Sequence, residues 1–206
     1  MLKRFLIYEI EQHLRSRGID LEKTNTILDK ETRTAVFLLY NLSGQLIGYQ
    51  RYNPKGIKGK EASKVVPILR RYYTYVTRAD NRNVAIAVWG LDTYNKLDKY
   101  LFITEGIFDA NKIHNAGYPA IAILNATGDK RLRTWLRMLP QAIISISDND
   151  PAGKMIKKLS DRMYVTPNPY KDLGEMPQNE VNSFLKQIVQ NIETNPINKV
   201  KLITEE

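Results

Sequence analysis

The chain has 206 residues, 43% of them hydrophobic and 26% charged, with no cysteine, two histidines and a net charge of +9. That length suits one large domain or two small ones, and the composition is that of a soluble globular protein able to bury a real core. Without cysteine there can be no disulfide, thiolate metal site or cysteine nucleophile, and His13 and His114 alone argue against structural zinc. The opening apolar run is too short for a signal peptide and no segment could span a membrane, so a cytoplasmic location is expected.

The charge is unevenly spread. Residues 1–100 carry 18 Lys/Arg against 10 Asp/Glu, whereas residues 101–206 carry 13 against 12. Between 50 and 82 nine basic residues face only Glu61 and Asp80. A basic front half joined to a back half centred on acids suits a polyanion held beside a metal site.

In chain order, residues 4–17 place Phe5, Leu6, Ile10, His13 and Leu14 at helical spacing, with Gly18 as the stop. Residues 34–40 and 46–52 are β-rich runs around Asn41-Leu42-Ser43-Gly44-Gln45, a hairpin signal. Residues 53–65 form a basic loop. Arg70-Arg71-Tyr72-Tyr73-Thr74-Tyr75 then interleaves cations with aromatics, a composition that grips phosphates and stacks on bases, or else a strand with a solvated basic face. Val84–Gly90 is another apolar run, followed by a short polar helix to about residue 98.

From Leu101 strand and helix alternate. Strands are expected at 100–104, 119–124, 142–147 and 162–166, and helices at 107–116, 130–138 and 151–161, the last with Pro151 at its first position. This pattern predicts a parallel sheet with crossover helices. A final helix covers 178–191, and Asn198–Thr204 could add a short strand.

The chemistry concentrates at the ends of two buried strands. Glu105 and Asp109 follow Tyr100–Thr104, and Asp148 and Asp150 follow Ala142–Ser147. Acidic residues at the carboxyl ends of parallel strands lie in the crevice where open α/β sheets bind ligands. Asp148 and Asp150 can both reach one hard cation if the turn curls, and Asp109 lies one helical turn beyond Glu105. Lys171-Asp172-Leu173-Gly174-Glu175, after the last strand, could add further carboxylates. Each piece alone is weak, because an acid before a helix is most often a cap. The combination of all three is far more specific.

Thr104-Glu105-Gly106-Ile107-Phe108-Asp109 and Ser147-Asp148-Asn149-Asp150-Pro151-Ala152-Gly153-Lys154 resemble the two signature motifs of the Toprim domain, shared by bacterial-type primases, topoisomerases and some nucleases. His114–Gly117 followed by Ala120–Gly128 is similar to the primase segment between those motifs. Upstream, Gly44-x-x-x-Gly48-x-x-Arg51 resembles the hairpin of primase catalytic cores, Arg71-Tyr72 stands where that family has Lys-Tyr, and Trp89-Gly90-Leu91 where it has Tyr-Gly-Leu. Leu14–Ile19 resembles the helix end that opens the core, so the likeness runs from about residue 10 to 180.

The resemblance implies an α/β fold in which a Toprim domain, a parallel sheet flanked by helices over residues 99–172, follows a small basic α+β subdomain over 1–98. A helix and tail complete the chain at 173–206. It implies primer synthesis on single-stranded DNA from ribonucleoside triphosphates, with Mg²⁺ or Mn²⁺. Carried over residue by residue, Glu105 is the catalytic acid/base or metal-organising carboxylate. Asp148 and Asp150 hold the cation, with Asp109 and Asp172 in support. Arg51, Lys64, Arg70 and Arg71 contact template or triphosphate, joined by the loop lysines Lys55, Lys58 and Lys60 and by Lys154 of the second motif.

The 206 residues contain neither the zinc-binding module nor the helicase domain that accompany such cores, which suggests a minimal, phage-type core working in the host cytoplasm with a separate helicase or zinc-module protein. The alternatives are a Toprim metal-dependent nuclease and a non-catalytic single-strand-binding module.

Overall fold

The computed structural model describes residues 2–77, 85–124, 129–150 and 153–197. The chain divides into two compact units, residues 1–91 and 92–206.

The first unit pairs a helix with an antiparallel sheet. Helix α1 (Leu2–Ser16) buries Ile10 and Leu14 one turn apart, as the helical period of the sequence requires. Strands β1 (Thr26–Asp29), β2 (Thr34–Tyr40), β3 (Leu46–Tyr52) and β4 (Tyr72–Val76) lie in that order in the sheet. Ala35, Phe37 and Leu39 alternate inward along β2 and are fully buried, which sets the register of the whole sheet. His13 of α1 meets the buried Tyr52 of β3 on the same inner face, Nε2 to Oη 2.8 Å.

Gly48 sits opposite Val76, and β4 passes so close that a Cβ on Gly48 would overlap the Tyr75 carbonyl oxygen. The second glycine of the hairpin motif is thus a packing requirement between two backbones.

The second unit is built on a parallel sheet of strands β5 (Tyr100–Thr104), β6 (Ala120–Ala122), β7 (Ala142–Ser147) and β8 (Arg162–Val165), in the spatial order β6-β5-β7-β8. Leu101, Phe102 and Ile103 in β5 and Ile143, Ile144 and Ile146 in β7 are almost wholly buried, as expected of strands covered on both faces. Helices α2 (Ile107–Asn115) and α3 (Lys130–Met138) follow β5 and β6. Helix α4 (Gln178–Thr194) buries Val181, Leu185, Ile188 and Ile192 and packs on α2, where the buried Lys112 donates to the Met176 carbonyl at 2.9 Å.

Several elements differ from the sequence reading. Residues 153–159 form a 3₁₀ helix in place of an α-helix, with Ile156 and Leu159 buried at the three-residue spacing that suits it. The polar helix expected to residue 98 shrinks to the turn Leu91–Thr93, since the Asn95 and Lys96 carbonyls are taken by the Gln141 side chain and Leu97 is 89% exposed. Ile86–Trp89 are buried but form no extended strand, and Val88 bridges to Tyr40 of the sheet. Strand β1 was unread. It is four residues long with Ile27 exposed, and only its pairing with β2 makes it a strand.

Pro151, the start of the Val84–Gly90 run, Arg78, Asp80, Arg82, Gly128 and the segment Asn198–Thr204 lie outside the described residues, as do the side chains of Phe5, Leu6 and Lys154.

Candidate functional site

The strand order β6-β5-β7-β8 places a switch point between β5 and β7. From β5 the chain moves to one side to form β6, then crosses back to form β7 on the other. Ligands of open α/β sheets bind outside the carboxyl ends of the strands at such a point. Glu105 follows β5 and Asp148 follows β7, so the two acids that the sequence singled out flank it on adjacent strands.

Local hydrogen bonds hold both strand ends. The Leu124 amide donates to the Glu105 carbonyl at 3.1 Å, and the Thr104 hydroxyl donates to the Gly106 carbonyl at 3.0 Å. At the end of β7, the amide and hydroxyl of Thr166 both donate to the Ser147 carbonyl at 3.0 Å.

The segment after β8 is drawn in from two sides. The Asn149 amide donates to the Lys171 carbonyl at 2.7 Å, and its side chain bonds the Asn168 side chain at 2.7 Å. From α2, Asp109 Oδ1 accepts the Gly174 amide at 2.8 Å in a buried contact. Asp172, between these anchors, accepts the Glu175 amide at 2.9 Å through Oδ1.

The result is a convergence of like charges. Asp148 has its carboxyl pushed up to about 6, first by desolvation and then by the charges of Asp172, Glu105 and Asp150, with Lys171 acting the other way. Burial, and then Asp150, raises Glu105 as well. Four carboxylates from three loops thus share one electrostatic neighbourhood at the carboxyl ends of the strands. Among the described residues no three His, Asp or Glu groups are already arranged to hold an ion. An all-carboxylate set fits a hard, oxygen-preferring divalent cation, which would offset the repulsion among its charges.

Asp109 differs from the other four acids. It is 9% exposed, Oδ1 is engaged by Gly174, and Oδ2 lies where a Cβ of Gly106 would be. The glycine of the Glu-Gly-x-x-Asp motif is therefore needed to seat Asp109, since its own backbone (φ −107°) would suit any residue. Gly106→Ala is expected to displace Asp109, break the bond to Gly174 and cost about 1.5–3 kcal/mol. Urea unfolding checks this: in an Asp109→Ala background the same change should be nearly neutral, and an equal cost in both backgrounds would refute the contact as the cause.

The first unit carries the basic and aromatic residues. On the outer face of its sheet Tyr49 pairs with Tyr75 and Arg51 with Tyr73. The Tyr49 and Tyr75 rings stack at 5.5 Å, and the Arg51 guanidinium carbon lies 5.5 Å from the Tyr73 centroid. Arg51 Nε and Nη2 are buried without a hydrogen-bond partner, the kind of donor an anion would satisfy. Residues 53–71 are laced into a lobe by Asn53 to Arg71, Ile57 to Leu69 and Arg71 to Ile57 backbone bonds, with Arg70 Nε on the Val65 carbonyl and Arg71 Nε on the Gly56 carbonyl. Lys55, Lys58, Lys60 and Lys64 stand exposed on it. Lys64 pairs with Glu61 and Lys55 with Glu9, both weak surface pairs.

Two features escaped the sequence reading. Arg17, read only as part of a helix end, acts with Arg71 on His13, whose imidazole is held below its ordinary value first by burial and then by these two charges. The spacing of His13 and Arg17, four apart, was the available signal. Asn149 and Asn168 carried no signal, because their pairing depends on where two loops meet.

A DNA primase of Thermotoga maritima is 27% identical over 187 residues, covering 84% of this chain and 31% of that protein. The chain thus spans less than a third of the curated relative it matches. The primase fragment of the bacteriophage T7 primase-helicase protein superposes with a TM-score of 0.53 at 16% identity, covering 83% of this chain and 78% of that one. The chain has the fold of a DnaG-like primase catalytic core. The RNA polymerase domain of Mycobacterium tuberculosis primase DnaG, in complex with a double-stranded DNA oligomer bearing a 6-nucleotide overhang, shares this primase-core fold at a TM-score of 0.54 and 18% identity, with coverage of 87% and 63%. No protein-family model matches the chain.

Proposed function

We propose that the chain is a primase-type nucleotidyltransferase core that makes short RNA primers on single-stranded DNA, with Mg²⁺ or Mn²⁺ at its acidic centre. The observation that carries this reading is the meeting of Glu105, Asp148, Asp150 and Asp172 at the switch point of the parallel sheet, within a fold shared with primase cores. Asp148, Asp150 and Asp172 would hold the cation, and Glu105, with its raised proton affinity, would organise the metal or accept the proton of the attacking 3′-hydroxyl. When bound, the cation would favour that nucleophile and neutralise charge on the reacting phosphate and the leaving pyrophosphate.

The first unit would supply the grip on the polyanion. Arg51 offers buried, unsatisfied N–H groups, Arg17, Arg70 and Arg71 add charge, and Lys55, Lys58, Lys60 and Lys64 line the adjoining lobe. Lys154 is proposed with them from the second motif. The exposed Tyr72 and Tyr75 suit base stacking. Template strand, ribonucleoside triphosphates and a separate helicase or zinc-module protein are the proposed partners. No helix among the described residues is long and apolar enough to cross a membrane.

The test is incorporation of labelled ribonucleotides on unprimed and primed single strands with Mg²⁺ or Mn²⁺. Wild type should extend, and Glu105→Gln should lose at least a hundredfold, the scale of one positioned acid–base group. Cleavage of labelled RNA or DNA without nucleotide addition would replace this reading with a nuclease. Strand binding without either reaction, with a zinc module and helicase supplied, would replace it with an inert binding module.

A further inference from the structure

The five acids of the second unit do not stand alike. Glu105, Asp150 and Asp172 all lie close enough to act on the Asp148 carboxyl, whereas Asp109 is buried and already engaged. Its Oδ1 accepts the Gly174 amide, and its Oδ2 is folded over the bare Cα of Gly106. Oδ1 of Asp109 is taken up by the Gly174 amide and Oδ2 lies against Gly106, so the carboxylate is held inside the protein by the contact between its helix and Gly174.

The bond to Gly174 links α2 to the segment that carries Asp172. That segment is held on its other side by Asn149, which donates its amide to Lys171 and bonds the Asn168 side chain. Asp172 lies between the two anchors, two residues before Gly174 and one after Lys171. Releasing either anchor frees the loop that brings Asp172 towards Asp148. The Asp109 bond is buried and shielded from competing water, so it is the stronger of the two side-chain anchors, while the Asn149–Asn168 bond is exposed to solvent.

We propose that Asp109 is a positioning residue that holds the Asp172 loop in place through Gly174 and does not enter the ligand set of the cation. The proposal rests on the reading of Glu105, Asp148, Asp150 and Asp172 as a divalent-cation centre, and it departs from the role that the sequence motif suggests for Asp109. An amide at position 109 keeps an oxygen that can accept the Gly174 N–H but loses the charge a ligand would need. Alanine loses both.

Mn²⁺ binding to the full chain, measured by electron paramagnetic resonance, separates the roles. Asp109→Asn should bind Mn²⁺ within about threefold of wild type, whereas Asp109→Ala should bind at least tenfold more weakly, the usual scale for loss of an outer supporting group. Asp109→Ala combined with Asp172→Asn should be no weaker than Asp172→Asn alone, because both act through the same ligand. Hydrogen exchange in the metal-free protein gives a second readout that also reports folding: the Gly174 amide should stay protected in Asp109→Asn and lose protection in Asp109→Ala, with the β5 and β7 amides unchanged in both. Equal loss of Mn²⁺ affinity in Asn and Ala variants would make Asp109 a ligand and overturn the proposal. If wild type shows no saturable Mn²⁺ binding, the cation centre itself falls and the proposal with it, an outcome distinct from the first.

Discussion

Replacing Asp148 by Asn is expected to stabilise the metal-free protein while removing saturable Mn²⁺ binding and roughly a thousandfold of nucleotide incorporation, the equivalent of several kcal/mol of charge stabilisation. The stabilisation follows from the direction of the titration. Desolvation and three neighbouring carboxylates raise Asp148 from 3.8 to about 6 in the folded chain, so folding favours its protonated form. That contribution is complete below pH 3.8 and is lost as the pH rises through about 6.

At neutral pH the folded protein therefore carries an unfavourable charge that Asn would not. A shift of this size corresponds to about 3 kcal/mol for a fully buried group. The carboxyl is only partly buried, and solvent screening reduces the gain to roughly 1 kcal/mol, or about 2–4 °C. Calorimetric unfolding with chelator present should show the variant ahead at pH 8 and level with wild type at pH 4. The proton also competes with the cation, so Mn²⁺ affinity of wild type should fall below pH 6. Equal stability at pH 8 would show that the Asp148 charge costs the fold nothing, and Mn²⁺ binding retained by the variant would show that Asp148 is not a ligand.

Gly48→Ala is expected to cost roughly 3 kcal/mol or more, beyond the ordinary range for an inserted methyl. Its Cβ would overlap the Tyr75 carbonyl oxygen and come within 3.0 Å of the Val76 Cα, and neither is a side chain that could swing away. Strands β3 and β4 would have to part, opening the register that stacks Tyr49 on Tyr75 and Arg51 on Tyr73. Amide exchange should show lost protection along β3 and β4 while β5 and β7 stay protected, because the second unit has its own core. A melting temperature within 2 °C of wild type, a shift of under about 1 kcal/mol, would mean that the two backbones are not in hard contact.

The four parallel strands were legible to within two residues. Strands β5 and β7 and helix α3 were read at their observed bounds because a run buried on both faces, or a strongly amphipathic stretch, needs no distant information. The hairpin strands β2 and β3 were read equally well, since alternation and a turn signal are local. Reading failed where a neighbour decides the state. Strand β1 exists through its pairing with β2, and residues 91–98 give their carbonyls and side chains to Gln141, His114 and Trp135, partners that lie far away in sequence.

The site divides in the same way. Sequence alone singled out the acids and set Glu105 and Asp148 directly after buried strands, because strand ends and motif spacing are properties of the linear chain. It also determined the basic and aromatic character of the first unit. Only the tertiary structure decided that β5 and β7 are neighbours across a switch point, which puts Glu105 beside Asp148. Only the structure, too, separated Asp109 from the other acids, since its burial and its bond to Gly174 join positions 65 residues apart. A motif records the kind of residue required. Whether a carboxylate faces an ion or a backbone amide depends on which loops the fold brings together.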